Sequence, residues 1–373
     1  MINRLRISLL VAVTASLLAS GIQAQENIQS QKTVDLNAWF TELVDSSSLV
    51  GLSACVVSGD HVVWQGGFGK ADIERDIPIT PETLFMLASC SKLFTGAALL
   101  KLYEMGRLDL DEDINRYLPF PVRNPAFSDV AITFRMLLTY TSSIADRQEV
   151  VTALYGTGDS DMPLGDFLAD YFKTGGSYYS PQNFHDFPPG SKNSYSNIAF
   201  ALIGYLVERI SEKPFPDLCR ETLFEPLAMG ETSWFLADLD QRNIARQYVA
   251  GEQEDNVQPV QHYGWPGYPD GQLRSSAPQV ANFLIMIMNG GRFSGRQIFK
   301  KTTVEKMLSR QNFKDLPTLP FHEIDMSLVW NLTRLGDREV YMKTGRGSGI
   351  NTCVLFESAT KIGFVLLLTG PIE

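Results

Sequence analysis

Residues 50 to 69 alternate apolar and polar positions and are rich in valine, with Ser58-Gly59-Asp60 as an interrupting turn. That pattern predicts a β-hairpin over 50–57 and 62–68. The far end of the chain has the same texture: 326–332, 339–344, 350–357 and 361–369 are short apolar or alternating runs joined by turn residues, so neighbouring strands should run antiparallel. The middle changes period. Residues 89–105, 198–210 and 278–288 carry helix-length apolar patterns, and the first stops at Gly106, where a C-terminal cap belongs. Strands at both ends around a helical centre predict a mixed α/β (α+β) fold: one antiparallel sheet built from both termini and flanked by helices, with a mostly helical lobe inserted. The sheet lobe would take about 36–110 and 270–373 and the helical lobe about 111–269, together one unit. The crevice between the lobes is then the expected site.

The first segment has a different character. Arg4 and Arg6 precede an apolar run over 7–18, and small residues lead to Ala24 just before a polar stretch. This reads as a cleaved signal peptide over 1–24, with the mature protein periplasmic or secreted. The run is short for a membrane span, and no later stretch approaches twenty apolar residues, so no span is expected in the mature protein.

Composition narrows the picture. Of 373 residues 44% are hydrophobic and 20% charged, which is ordinary globular usage and excludes disordered, collagenous and coiled-coil chains. There are 32 Lys+Arg against 42 Asp+Glu, and removal of 1–24 would leave 30 basic residues and a charge of −12. Nucleic acid and anionic lipid are therefore not expected partners. Cys55, Cys90, Cys219 and Cys353 are scattered without metal-ligand spacing and read as buried free thiols. His61, His185, His262 and His322 form no ligand pair, so neither a zinc centre nor any other cofactor is expected. No Gly-x-Ser-x-Gly elbow occurs.

Three short motifs and two aromatic loops could carry chemistry. Ser89-Cys90-Ser91-Lys92 opens a predicted helix, where a three-residue spacing puts hydroxyl and amine on one face. The pattern recurs at Ser358-Ala359-Thr360-Lys361, there between two strands, as a solvated turn. Ser89 could serve only as a helix cap. Lys92 is harder to explain that way, because Leu93, Phe94, Ala97, Ala98, Leu99 and Leu100 make its helix apolar nearly all round. Tyr195-Ser196-Asn197 precedes the next apolar helix, with Asn197 either a cap or a group that orients a lysine. Lys343-Thr344-Gly345 ends a predicted strand and runs through Arg346 into Gly347 and Gly349, whereas its copy Lys173-Thr174-Gly175 ends the amphipathic stretch 164–172 as a helix terminus. Finally, two loops are unusually aromatic, with Tyr178, Tyr179, Phe184 and Phe187 in one and Tyr263, Trp265 and Tyr268 in the other. They either line an apolar gorge or pack over the lobe junction.

Ser-x-x-Lys, Tyr-x-Asn and Lys-Thr-Gly, in this order, resemble the penicillin-recognising serine hydrolases. The resemblance spans about 50–370 and includes Ile114-Asn115-Arg116-Tyr117-Leu118-Pro119, Pro189-Gly190 and Asp270-Gly271. Tyr-Ser-Asn makes it similar to the class C β-lactamase and D-peptidase branch, which also contains esterases. The resemblance implies a β-lactamase-like fold with Ser89 as nucleophile and Lys92 and Tyr195 as the proton-transfer pair. It implies that Asn197, Lys343, Thr344 and Gly345 position the substrate, and that an oxyanion hole forms from the backbone N–H groups of Ser89 and Arg346. It further implies an acyl-enzyme and a small-molecule substrate, a β-lactam, D-peptide or ester, with no cofactor. The alternative within the same resemblance is a penicillin-binding or cell-wall-fragment sensing module with little or no turnover. Thr139-Tyr140-Thr141-Ser142-Ser143 departs from the Thr-His-Thr-Ser-Gly of many relatives.

Overall fold

The computed structural model describes residues 35–251, 256–311 and 325–371. The expected signal peptide and His322 lie outside them. Helix α1 (Leu36–Asp45) is the first element among the described residues, its start capped by the Asp35 carboxylate, which accepts from the amides of Asn37 and Ala38. Strands β1 (Gly51–Ser58), β2 (His61–Asp72) and β3 (Ile77–Pro78) follow. Near the C-terminus lie β4 (Asp325–Met326), β5 (Asn331–Leu335), β6 (Arg338–Gly347), β7 (Ile350–Glu357) and β8 (Ile362–Thr369). All eight form one antiparallel sheet in the order β4-β5-β6-β7-β8-β1-β2-β3, so the last strand pairs with the first, from Gly51 opposite Thr369 to Ser58 opposite Ile362.

The alternation along these strands divides their side chains between two cores. Cys55, Val57, Val354, Phe356, Val365 and Leu367 face the helices, whereas Leu52, Ala54, Cys353, Leu355, Leu366 and Leu368 face α1. Both faces are covered, which is why β7 and β8 read as nearly continuous apolar runs rather than alternating ones.

Between the strand groups lie α2 (Ser91–Glu104), α3 (Phe134–Leu138), α4 (Leu164–Phe172), α5 (Asn197–Ser211) and α6 (Ala277–Met288). Residues 91 to 100 of α2 are all buried, including Lys92. Phe94 of α2 meets Phe283 of α6 at 4.5 Å between ring centres, and α6 in turn lies against β1 and β8. Among the described residues no helix is long and apolar enough to cross a membrane.

One expected strand is not continuous. The run 326–332 divides into the end of β4 and the start of β5, with a tight turn between them in which the Ser327 amide donates to the Trp330 carbonyl at 3.0 Å. The turn is apolar because it is buried: Leu328, Val329 and Trp330 are shielded, and the Leu328 and Val329 amides donate to the carbonyls of Met307 and Leu138. Val329 holds φ at 77°, and a Cβ on Gly96 of α2 would lie 2.4 Å from its side chain. A buried turn and a buried strand have the same composition, so periodicity could not separate them.

Candidate active site

Ser89 stands at a sharp corner. Ala88 adopts φ of +46°, a left-handed conformation that costs a residue with a side chain, and Ala88–Cys90 form one 3-10 turn before α2 begins. The corner is fixed by three hydrogen bonds: the Leu87 amide to the Leu273 carbonyl at 2.7 Å, the Thr352 hydroxyl to the Leu87 carbonyl at 2.7 Å, and the Leu273 amide to the Ser91 hydroxyl at 3.2 Å. Ser89 is not the cap of α2. Cys90 takes that position without a side-chain cap bond, and Ser89 Oγ instead lies 2.6 Å from Tyr195 Oη and 3.2 Å from Lys92 Nζ.

Lys92 is fully buried, and its amine lies within hydrogen-bond reach of three groups: Asn197 Oδ1 and the Asp270 carbonyl, each at 2.7 Å, and Ser89 Oγ. A buried ammonium without such partners would not be tolerated. Asn197 can serve Lys92 because it is not the cap of α5. Ser196 caps that helix, its hydroxyl accepting from the Ala199 amide at 3.0 Å. The group that secures this segment carries no local sequence signal. Asp146 accepts from the Ser196 hydroxyl (2.8 Å), the Asn197 amide (2.7 Å) and the Ile198 amide (3.0 Å), a carboxylate set at the positive end of a helix.

Tyr195 is 45% exposed and carries a ring flanked by both amines, with Lys92 Nζ 5.0 Å and Lys343 Nζ 5.5 Å from its centre. Lys343, on β6, is buried and donates to Tyr140 Oη at 2.6 Å. Burial, helped by the neighbouring charge of Lys92, pulls the Lys343 amine down to about 7. Burial also pushes the Tyr140 phenol well above its usual value, so the pair is an amine against a neutral phenol. Tyr140 reaches this place through a left-handed backbone (φ 57°), and Ser143 adopts φ 58°. Asn124 donates to the Ser143 hydroxyl at 3.0 Å across that turn.

Thr344 and Arg346 alternate with Lys343 along β6 and are exposed. Gly345 can be nothing larger. A Cβ there would lie 2.4 Å from the Leu87 carbonyl oxygen and from Thr352 Oγ1, and 2.9 Å from Ser89 N. Pairing of β6 with β5 ends at Met342, so 343–347 pair with β7 on one edge and turn the other toward the Ser89 corner. Asp270 completes the surroundings: its buried carboxyl accepts from the Trp265 indole N–H at 3.0 Å and is pushed up to about 7 by burial, against the pull of Lys92.

The structure therefore brings together Ser89, Lys92, Tyr195, Asn197, Lys343 and Gly345. The two repeated motifs lie elsewhere, 358–361 between β7 and β8 and Lys173 at the end of α4. All four cysteines are buried free thiols. Among the described residues no group of three His, Cys, Asp or Glu side chains could hold a metal ion.

The Beta-lactamase family model matches residues 36–373. Protein flp of Staphylococcus aureus (strain N315) is 27% identical over 184 residues, 49% of this chain and 34% of that protein, so the match takes in about a third of that relative's length. Among solved structures, the penicillin binding protein from Bacillus halodurans superposes with a TM-score of 0.70 at 21% identity, covering 92% of this chain and 96% of that one. The D-amino acid amidase of Ochrobactrum anthropi SV3 gives 0.69 at 22%, covering 91% and 93%. At these identities the two structures establish a shared fold, the β-lactamase-like arrangement of an antiparallel sheet with helices.

Proposed function

Because the chain belongs to the Beta-lactamase family, we propose that it is a serine hydrolase that forms an acyl-enzyme on Ser89 from an amide, β-lactam or ester. One observation carries the reading: Ser89 Oγ sits 2.6 Å from a phenol and 3.2 Å from an amine, both within reach of its proton. Ser89 Oγ bonds to the carbonyl carbon as its proton passes to the Tyr195 and Lys92 pair, and the pair hands that proton to the leaving group as its bond to the carbonyl carbon breaks. The pair, again able to accept, takes a proton from water as the water oxygen bonds to the acyl carbon, and returns it to Ser89 Oγ as the ester bond breaks. Asn197 and Lys343 orient the substrate beside the open edge of β6, with Thr344 and Gly345 shaping that edge. The close approach of Gly345 to Ser89 N supports an oxyanion hole made by the backbone N–H groups of Ser89 and Arg346.

Turnover of nitrocefin and of p-nitrophenyl butyrate tests the reading. Ser89→Ala should lower the rate of whichever substrate is used by about a thousandfold or more, and equal rates would overturn it. A penicillin adduct on Ser89 that persists by intact mass without turnover would instead mark a sensing module. The 1–24 leader supports export as part of the same proposal. N-terminal sequencing of the mature protein should begin at Gln25.

A further inference from the structure

Two of the large apolar side chains that the fold leaves exposed are Tyr195, already described, and Tyr155, which is 41% exposed. The two aromatic loops explain Tyr155 in part. Most of their rings pack internally: Phe184 on Phe172, Tyr178 on Phe167, and Tyr268 among Phe215, Trp234 and Phe235. Tyr263 and Trp265 behave differently. A two-stranded ribbon pairs Gly156–Thr157 with Tyr263–Gly264, closely enough that a Cβ on Gly264 would lie 2.5 Å from the Gly158 carbonyl oxygen. The ribbon sets Tyr155 edge-on against Tyr263, 5.3 Å between centres at 77°, and stacks it on buried Trp265 at 5.6 Å and 26°.

Both partners of Tyr155 lead to the reacting groups. The Trp265 indole holds Asp270, whose carbonyl holds Lys92. The Tyr263 oxygen accepts from the backbone of Ser348 and lies where a Cβ on Gly347 would stand 2.7 Å from it and 4.0 Å from Ala88 Cβ. It is thus wedged between the end of β6 and the corner that presents Ser89. Burial drives the Tyr155 phenol far up, with Asp270, Tyr263, Asp146 and Tyr195 adding to the effect, while part of the side chain stays open to solvent.

We propose that Tyr155 and Tyr263 form the wall of an acyl-group subsite at Ser89, which selects acyl donors ending in an aromatic or similarly flat apolar group. This rests on the serine hydrolase reading and names its substrate class. A flat apolar group would cover the Tyr155 ring and gain the offset or edge-on contact that aromatic pairs favour. The test compares p-nitrophenyl acetate with p-nitrophenyl phenylacetate by the rate of acylation of Ser89 followed by intact mass. In each, the Ser89 Oγ–carbon bond forms, the carbon–oxygen bond to nitrophenolate breaks, and the serine proton goes to the Tyr195 and Lys92 pair. Wild type should favour phenylacetate by about tenfold. Tyr155→Ala should bring that ratio to about two, and Tyr155→Phe, which keeps the ring, should retain it. A wild type that favours acetate, or a ratio unchanged in Tyr155→Ala, overturns the subsite and leaves the hydrolase reading standing. Equal rates for Ser89→Ala and wild type, or no acylation of Ser89 by either ester, overturn the reading and the subsite together.

Discussion

Lys92 and Asp270 show how the interior holds charge at single residues. Lys92 is buried with three acceptors around its amine, whereas the Asp270 carboxyl accepts an indole N–H as its one side-chain hydrogen-bond partner among the described residues and is pushed up to about 7. Lys343 goes the other way, down to about 7. The signs follow from proton uptake on unfolding. Asp270 stabilises the fold fully below its ordinary value of 3.8, and that contribution is lost as the pH rises through about 7. Lys343 binds its proton more weakly folded than unfolded, so stability recovers between about 7 and its ordinary 10.5. Together the two groups place a shallow minimum of stability near neutral pH. Asp270→Asn keeps an oxygen for Trp265 and removes the titration. The fall in unfolding free energy of wild type between pH 5 and pH 8 should shrink in this variant by on the order of 3 kcal/mol. Urea unfolding at the two pH values measures it, and an unchanged difference would mean that Asp270 does not carry the burial penalty. Of these groups, Lys92 stands out in the sequence because a lysine on an apolar helix conflicts with its neighbours, whereas Lys343 is marked by the Lys-Thr-Gly triplet and not by its surroundings, which also suit a solvated charge on an edge strand. Asp270 does not stand out, since no local pattern shows that a lone aspartate beside glycine will be enclosed.

At the level of elements, the start of α5 joins packing to chemistry. Its cap Ser196, its first residue Asn197 and its second residue Ile198 all bond to Asp146, which lies 50 to 52 positions earlier. Removing the carboxylate in Asp146→Ala would leave two amides and a hydroxyl without their acceptor. The expected loss is about 1–2 kcal/mol of stability, in line with removal of a helix cap. If the segment also sets Tyr195 and Asn197, kcat/KM should fall by about tenfold or more under conditions where the protein stays folded, and Asp146→Asn should recover part of both. Full activity in Asp146→Ala would show that α5 holds its start through packing alone. The helices themselves were legible: 198–210 against the observed Asn197–Ser211, and 278–288 against Ala277–Met288, because the 3.6 period survives burial of one face. The Asp146 contact was not, since it joins a loop to a helix end and has no period. The same limit hid the turn within 326–332, where neighbours from α2 and α3 decide the geometry.

For the molecule as a whole, the decisive contact is β8 with β1, which joins residues more than three hundred positions apart into one sheet. Phe364, Val365, Leu366, Leu367 and Leu368 of β8 are all buried, and they divide between the two cores. Burying such side chains is worth roughly 1.5–3 kcal/mol each, so β8 alone contributes about as much as the 5–15 kcal/mol net stability of a typical domain. A chain stopped after Glu357 would also leave the edges of β1 and β7 unpaired. It should show no cooperative urea transition and no labelling of Ser89 by a fluorophosphonate, although every residue around Ser89 is still present. The order of the strands in the chain should matter far less than their presence. The C-terminal end of the described structure meets the segment that enters β1, with the Ser48 hydroxyl donating to the Pro371 carbonyl at 2.6 Å and the Val50 amide to the Thr369 carbonyl at 2.9 Å. A circular permutant of 35–371, joined from 371 to 35 by a flexible linker long enough to run along α1 and opened in the exposed turn at 358–360, would bring β8 and β1 much closer in sequence. It should unfold cooperatively within a few kcal/mol of wild type and refold faster, because the longest loop closure has been removed. A truncated chain that folds and labels Ser89, or a permutant that does neither, would show that the two ends of the chain do not build one sheet in solution.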